Sequence, residues 1–91
     1  MFSVVPTNRF KRDLKRISRQ NKNVDELEII VDIIAARDTL PPSNRDHTLT
    51  GNYSEHRECH IEPDWLLIYR VDEVDETIIL IRTGSHSDLF S

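Results

Sequence analysis

Apolar residues recur with two different periods along this 91-residue chain. Near the start, Phe10, Leu14 and Ile17 fall at i, i+4 and i+7, the stripe of one helix face. Thr7 stands where an N-cap would, after a short β-like "FSVV" that Pro6 ends. The spacing predicts a helix of about 13 residues, broken by "QNKN". A second stripe follows in Leu27, Ile30, Val31 and Ile34. Asn23 is placed to cap that helix, with Glu26 in the capping-box position. Asp25, Glu26 and Glu28 suit its positive N-terminal end. It is expected to end near Asp38, because "LPP" cannot continue it. A connection of about four residues makes the two helices an antiparallel hairpin.

Beyond the loop "PPSNRDHTLTGN" the period changes to two. From residue 53 to 61 the chain alternates, with Arg57, Cys59 and Ile61 on one face and His56, Glu58 and His60 on the other. Pro63 ends that strand. "WLLIYRV" is apolar on both faces and reads as a central strand. "DEVDE" is a charged hairpin connection. "TIILIRT" pairs back, with Ile79 and Ile81 on one face and Ile78, Leu80 and Arg82 on the other. The order is β-α-α-β-β-β. It predicts one α+β domain over residues 1–91, a helical hairpin packed on one face of a mainly antiparallel sheet. The other face is left open, and Cys59 is turned toward the helices.

Charge sharpens this picture because it is uneven. Residues 1–23 hold seven Lys/Arg and a single acid, Asp13, whereas the whole chain is −4. The basic block reads either as a nucleic-acid footprint or as the solvated face of a helix. No apolar run approaches the roughly 18–20 residues that cross a membrane. The N-terminus lacks the charged-then-apolar order of a secretory signal. Cys59 is the lone cysteine, so no intrachain disulfide forms, which fits a reducing compartment. The expected location is the cytoplasm, with no membrane partner.

The chemistry-competent residues gather on the open face and its rim. Alternation points Glu58 and His60 there. Arg82 joins them from the last strand, His47 and His86 flank it in loops, and Asp64 and Trp65 sit at a bend. A metal site is the first reading of four histidines. The H-x₃-H pair His56 and His60 lies in a strand, however, where four residues span about 13 Å, too far for one ion with bonds near 2 Å. No metal and no cofactor is therefore assigned. General acid–base scission of RNA is the second reading. A base takes the ribose 2′-OH proton, an acid protonates the departing 5′-oxygen, and a cation meets the charge on phosphorus. His serves either proton role near neutral pH, Arg matches phosphate, and aromatics stack on bases. Each residue also has a plainer reading: Trp65 as core, Phe90 as an edge cover, Arg82 paired with Glu58, and His47 beside Asp46 as part of an ordinary turn.

Three blocks, "RDHTLTG", "RECHIEPDWLLIY" and "RTGSHSDLF", closely resemble the YafQ-like branch of the RelE/ParE superfamily of bacterial type II toxins. They match in order, and the predicted element order matches that fold. The resemblance implies an mRNA endonuclease that enters the ribosomal A site and cuts without a metal, leaving a cyclic phosphate. It implies His86 with His47, or His86 with Asp64, as the proton-transfer pair, and His60 on the scissile phosphate. Arg82 would stabilise developing charge, while Trp65 and Phe90 hold a base or shape the pocket, with Glu58 on the substrate side. It further implies a small antitoxin, usually with a DNA-binding domain, seated on apolar seams beside the helices. The +6 N-terminal block is expected to meet rRNA. The ParE branch of the superfamily offers an alternative, a gyrase inhibitor that cuts no RNA, but it lacks this histidine set.

Overall fold

The computed structural model describes residues 1–90. Strand β1 spans Ser3–Pro6, helix α1 Asn8–Arg19 and helix α2 Val24–Ala35. Thr7 caps α1 as its chemistry demands, its Oγ1 accepting from the Phe10 N–H at 3.0 Å. The same hydroxyl donates to the Ile81 carbonyl at 3.1 Å, which ties the start of α1 to the last strand. Asn23 caps α2 through the Asp25 N–H at 3.1 Å. Glu26 lies against Glu62, whose hydrogen bond raises its carboxyl pKa. The last turn of α2 comes before Asp38, because Arg37 takes a left-handed φ of 62° and turns the chain.

Five strands form one sheet in the order β1-β5-β4-β3-β2. Strand β2 is His47–Thr48, β3 Arg57–Glu62, β4 Trp65–Asp72 and β5 Thr77–Gly84; helix α3, His86–Phe90, follows. β4 is central, as its two-sided apolarity requires. β1 runs parallel to β5, and the remaining pairs are antiparallel. Pro6 is tolerated because β1 is an edge strand. Two elements were not expected. His47 lies in a two-residue strand paired with β3, not in open loop, and the C-terminal tail is a short helix. Neither is long enough to show a period.

The phase of β5 differs from simple alternation. Ile78 and Leu80 face the helices and pack in the main core with Cys59, Trp65, Leu67 and Tyr69. The register then slips, so that Leu80 pairs with Tyr69 but Arg82 pairs with Ile68, leaving Ile81 as an extra residue. Such a bulge resets which face the next side chains take. Arg82 therefore reaches the open face because of the bulge, and Ile78 and Leu80 are not its face-mates. Nor is the open face bare. Leu66 and Ile68 are fully buried there, covered by Leu89 and flanked by Leu49, Tyr53 and Ile81. Leu89 thus pins α3 onto the sheet, and removing the tail would uncover this second core. Phe90 does not share that task, since it is 48% exposed.

Candidate active site

The strand register lays the polar residues out in two rows. His47 pairs with Glu58, Glu58 with Ile68, and Ile68 with Arg82, one row across four strands. His60 pairs with Leu66 and Leu66 with Gly84, the neighbouring row, from which the chain turns into His86. The middle of each row is apolar. The open face is thus split into a histidine-rich half over β2 and β3 and an arginine at the β5 edge.

The histidine-rich half is built around Glu58. This carboxylate is only 5% exposed, so it is walled in by its neighbours and does not offer itself to a substrate as a free side chain. Its Oε1 lies 3.4 Å from His47 Nε2 and 3.7 Å from His60 Nε2. The opposite ring nitrogens meet backbone carbonyls. His47 Nδ1 is 2.6 Å from the Arg45 oxygen and His60 Nδ1 is 3.2 Å from the Pro63 oxygen. Both nitrogens of each ring therefore face oxygen atoms. The loop carrying His47 is held from the helix side. Asp46 Oδ1 accepts from the Tyr69 hydroxyl at 2.6 Å and from Arg57 Nε at 3.2 Å. Burial, with Asp46 next, raises the Tyr69 pKa, so the phenol keeps its proton for that bond.

Asp64 and His86 form the second part. Asp64 Oδ1 accepts from the His86 backbone N–H at 3.0 Å and sits 2.8 Å from His86 Nδ1. These two contacts, the backbone one first, hold the Asp64 carboxyl below its usual pKa, so it stays an acceptor. An acceptor at Nδ1 assigns the hydrogen to that nitrogen and leaves Nε2 for a substrate. The His86 ring stands 5.8 Å from the His60 ring and 6.3 Å from Phe90. Phe90 and Tyr53 meet edge to face at 6.0 Å. With Thr50, Asn52 and Leu89 they line a cleft of about 580 Å³ beside the histidines.

Two expected residues are buried. Trp65 is fully buried among the helix-side residues, its Nε1 donating to Thr83 Oγ1 at 2.9 Å, so the plainer reading, core, holds and it does not present a face to a base. Arg82 is buried and paired, not with Glu58 but with Asp13, through Nε at 2.7 Å and Nη2 at 3.1 Å. Its fork is spent on that carboxylate, so the two-pronged phosphate grip is not on offer.

Asp13 itself was missed. It is 3% exposed, on the buried stripe Phe10–Asp13–Ile17, and was counted only as the odd acid in a basic block. Its place at i+3 from Phe10 and i−4 from Ile17 was the available signal. Burial alone would raise its pKa, but hydrogen bonds from Arg82, Arg16 and the Thr83 N–H outweigh this and lower it. A carboxyl with a lowered folded pKa stabilises the fold above its unfolded pKa and loses that contribution as pH falls through the folded value. The melting temperature is therefore expected to drop on acidification below the ordinary Asp value of 3.8. Thermal scans across pH should show a shallower acid limb in Asp13→Asn.

Glu58, His60 and His86 also bring one ligand-type atom each to within 4.8 Å of one another. This trio, not His56 with His60, is the cluster a metal would find, and strand geometry does not exclude it because His86 arrives from the tail.

The profile of the YafQ family, bacterial toxins of type II toxin–antitoxin systems, matches residues 2–91. The mRNA interferase toxin YafQ of Escherichia coli K12 is 31% identical over 85 residues, covering 92% of this chain and 90% of that protein. A metal-bound toxin from Helicobacter pylori superposes with a TM-score of 0.94 at 36% identity, over 99% of this chain and all of that one. The E. coli toxin in the DinJ–YafQ complex superposes at 0.89 with 28% identity, over the full length of both chains.

Proposed function

Since the chain belongs to the YafQ family of bacterial type II toxins, we propose that it is an mRNA interferase that acts on the translating ribosome through the open-face histidines. The observation that carries this reading is the Asp64–His86 dyad standing 5.8 Å ring to ring from His60, which shares Glu58 with His47. His86, its Nδ1–H held by Asp64, accepts the 2′-OH proton at Nε2. The 2′-oxygen then attacks phosphorus, the P–O5′ bond breaks, and a 2′,3′-cyclic phosphate and a 5′-hydroxyl result. Base and acid of an in-line displacement stand on opposite sides of phosphorus. His60 has an atom within 4.8 Å of one on His86, which suits it to the phosphate's own oxygens. His47, on the far side of Glu58, is then the acid that protonates O5′. The exposed Phe90 ring and its cleft beside Tyr53 suit an unstacked base, and base stacking is typically worth about 1–3 kcal/mol. The basic side chains of α1 supply contacts to rRNA phosphates.

A protein antitoxin is the proposed regulator. The E. coli relative forms a complex with DinJ. Here Val4, Leu14, Val24, Leu27, Val31 and Leu80 line an apolar groove of about 460 Å³ beside the helices, suited to an amphipathic partner segment.

The metal-bound H. pylori toxin and the Glu58–His60–His86 trio favour a second role for the same atoms. Two imidazoles and a carboxylate suit a borderline ion such as Cu²⁺ or Zn²⁺. One atom of each lies within 4.8 Å of the others, and Glu58 Oε1 is 3.7 Å from His60 Nε2. An ion bound through His86 occupies a ring nitrogen, so it competes with the proton transfer proposed for that residue. One experiment tests both. With purified ribosomes kept in Mg²⁺ buffer and a defined mRNA, protein stripped of transition metals beforehand should still produce new 5′-hydroxyl ends, and added Cu²⁺ should suppress them. No cleavage by the parent protein would sink the ribonuclease reading, and cleavage lost on stripping and restored by added Zn²⁺ would sink the metal-free route.

A further inference from the structure

We propose that Asp13 is a positioning residue for strand scission, acting through Arg82; the inference rests on the ribonuclease reading above. All of its acceptor capacity is used on this site's supports. Oδ2 takes Arg82 Nε at 2.7 Å and the Thr83 N–H at 3.1 Å. Oδ1 takes Arg82 Nη2 at 3.1 Å and Arg16 Nη1 at 2.9 Å. One side chain on α1 thus fixes a side chain and a backbone group of β5, 69 and 70 residues away.

Packing alone does not call for a carboxylate there. The neighbours on the stripe, Phe10 and Ile17, are apolar and buried. Buried ion pairs can often be replaced by apolar residues of similar volume at no loss of stability, so such a pair needs a reason beyond stability. The reason lies in what Arg82 can do once clamped. With Nε and Nη2 engaged, the guanidinium plane is set and its remaining Nη1 edge has one direction. The Tyr53 hydroxyl, a neighbour that also supports the charge on Arg82, lies on the same face, with Phe90 edge-on to its ring. Arg82 and Arg16 share Asp13, and Arg16 also faces Asp88, so the cluster is balanced in charge; what Asp13 fixes is the direction of the Arg82 guanidinium at the edge of the sheet face. Preorganised charge of this kind costs no reorientation during the reaction.

The clamp also reaches the turn that delivers His86. Arg16 Nη2 donates to the Thr83 carbonyl at 2.8 Å and lies 3.7 Å from Asp88 of α3. A Cβ on Gly84 would fall 2.6 Å from that nitrogen, so glycine there keeps the space Arg16 needs.

The test is a cycle of kinetics on ribosomes with the parent, Asp13→Asn, Arg82→Lys and the double variant, each checked by thermal melting. Asp13→Asn should lower kcat by about 10–100-fold with KM within about twofold, the pattern of an interaction realised only in the transition state. In the Arg82→Lys background the Asn substitution should cost less than about threefold more, because its effect runs through the guanidinium. Parent kcat in a folded Asp13→Asn, or losses that multiply fully, would overturn the inference while leaving the ribonuclease reading intact. If the Asn variant does not fold, Asp13→Glu takes its place. It keeps the charge but shifts the clamp by one methylene, and parent kcat in it would equally overturn the proposal. A parent that cuts no RNA overturns the functional reading and this inference together.

Discussion

His86→Ala is expected to lower cleavage by about 10²–10⁴-fold, the usual worth of a positioned general base or acid. The protein should stay folded. The His86 side chain is 56% exposed, and its side-chain bond is to Asp64, itself 68% exposed. Surface truncations of this kind typically change stability by no more than about 0.5 kcal/mol. The loss should fall on kcat and kcat/KM alike, because the proton moves only in the chemical step. Asp64→Asn should cost less, since it disturbs the tautomer and aim of His86 without removing the base. Quantifying 5′-hydroxyl ends over time, with melting curves as the control, gives the answer. Cleavage at the parent rate in a folded His86→Ala would move the base elsewhere, with His47 next in line.

Arg82→Ala is expected to do the opposite, failing first in folding. It removes one of the two arginines on the buried Asp13 carboxylate, which lies beside apolar Phe10 and Ile17 and keeps only Arg16 and the Thr83 N–H. Breaking one side of a buried pair typically costs about 3–5 kcal/mol. With Arg16 still on the carboxylate the cost here is smaller, and a fall of at least about 4 °C in melting temperature is expected. Adding Asp13→Ala should recover part of it, because the buried carboxylate, short of one arginine, is removed. Circular dichroism melts of the two variants decide the matter. Parent-like melting of Arg82→Ala would show that the Asp13 pair is not a structural element. The practical consequence is that inactivity of Arg82→Ala by itself says nothing about chemistry, which is why the Lys and Asn variants carry the kinetic test.

The contrast between these residues shows how far the pattern of side chains reaches. The helix stripes, the Thr7 and Asn23 caps and the central place of β4 follow from local rules, and all four are present. So is the alternation that puts Glu58 and His60 on one face and Cys59 on the other. The ordered motif blocks pointed to the family, and the match over residues 2–91 agrees. Asp13 was misjudged because one helix turn does not reveal which strand it will meet. The burial of Arg82 and Trp65 was out of reach for a related reason: both are residue types that serve equally well in a core or at a site, and only packing shows where they lie.

What the sequence determined by itself is therefore the set of elements, their caps, the face of each regular strand and the kinship. These depend on neighbours three or four positions away along a helix or two along a strand. What only the tertiary structure decided are features that depend on residues far apart in the chain. The bulge at Ile81 reset the face of Arg82. The tail helix covered Leu66 and Ile68 with Leu89. Asp13 met a partner 69 residues away, and Glu58, His60 and His86 were brought to within 4.8 Å of one another. Their cause is the packing of one element against another, where register, burial and charge balance are settled together and no local period records the outcome.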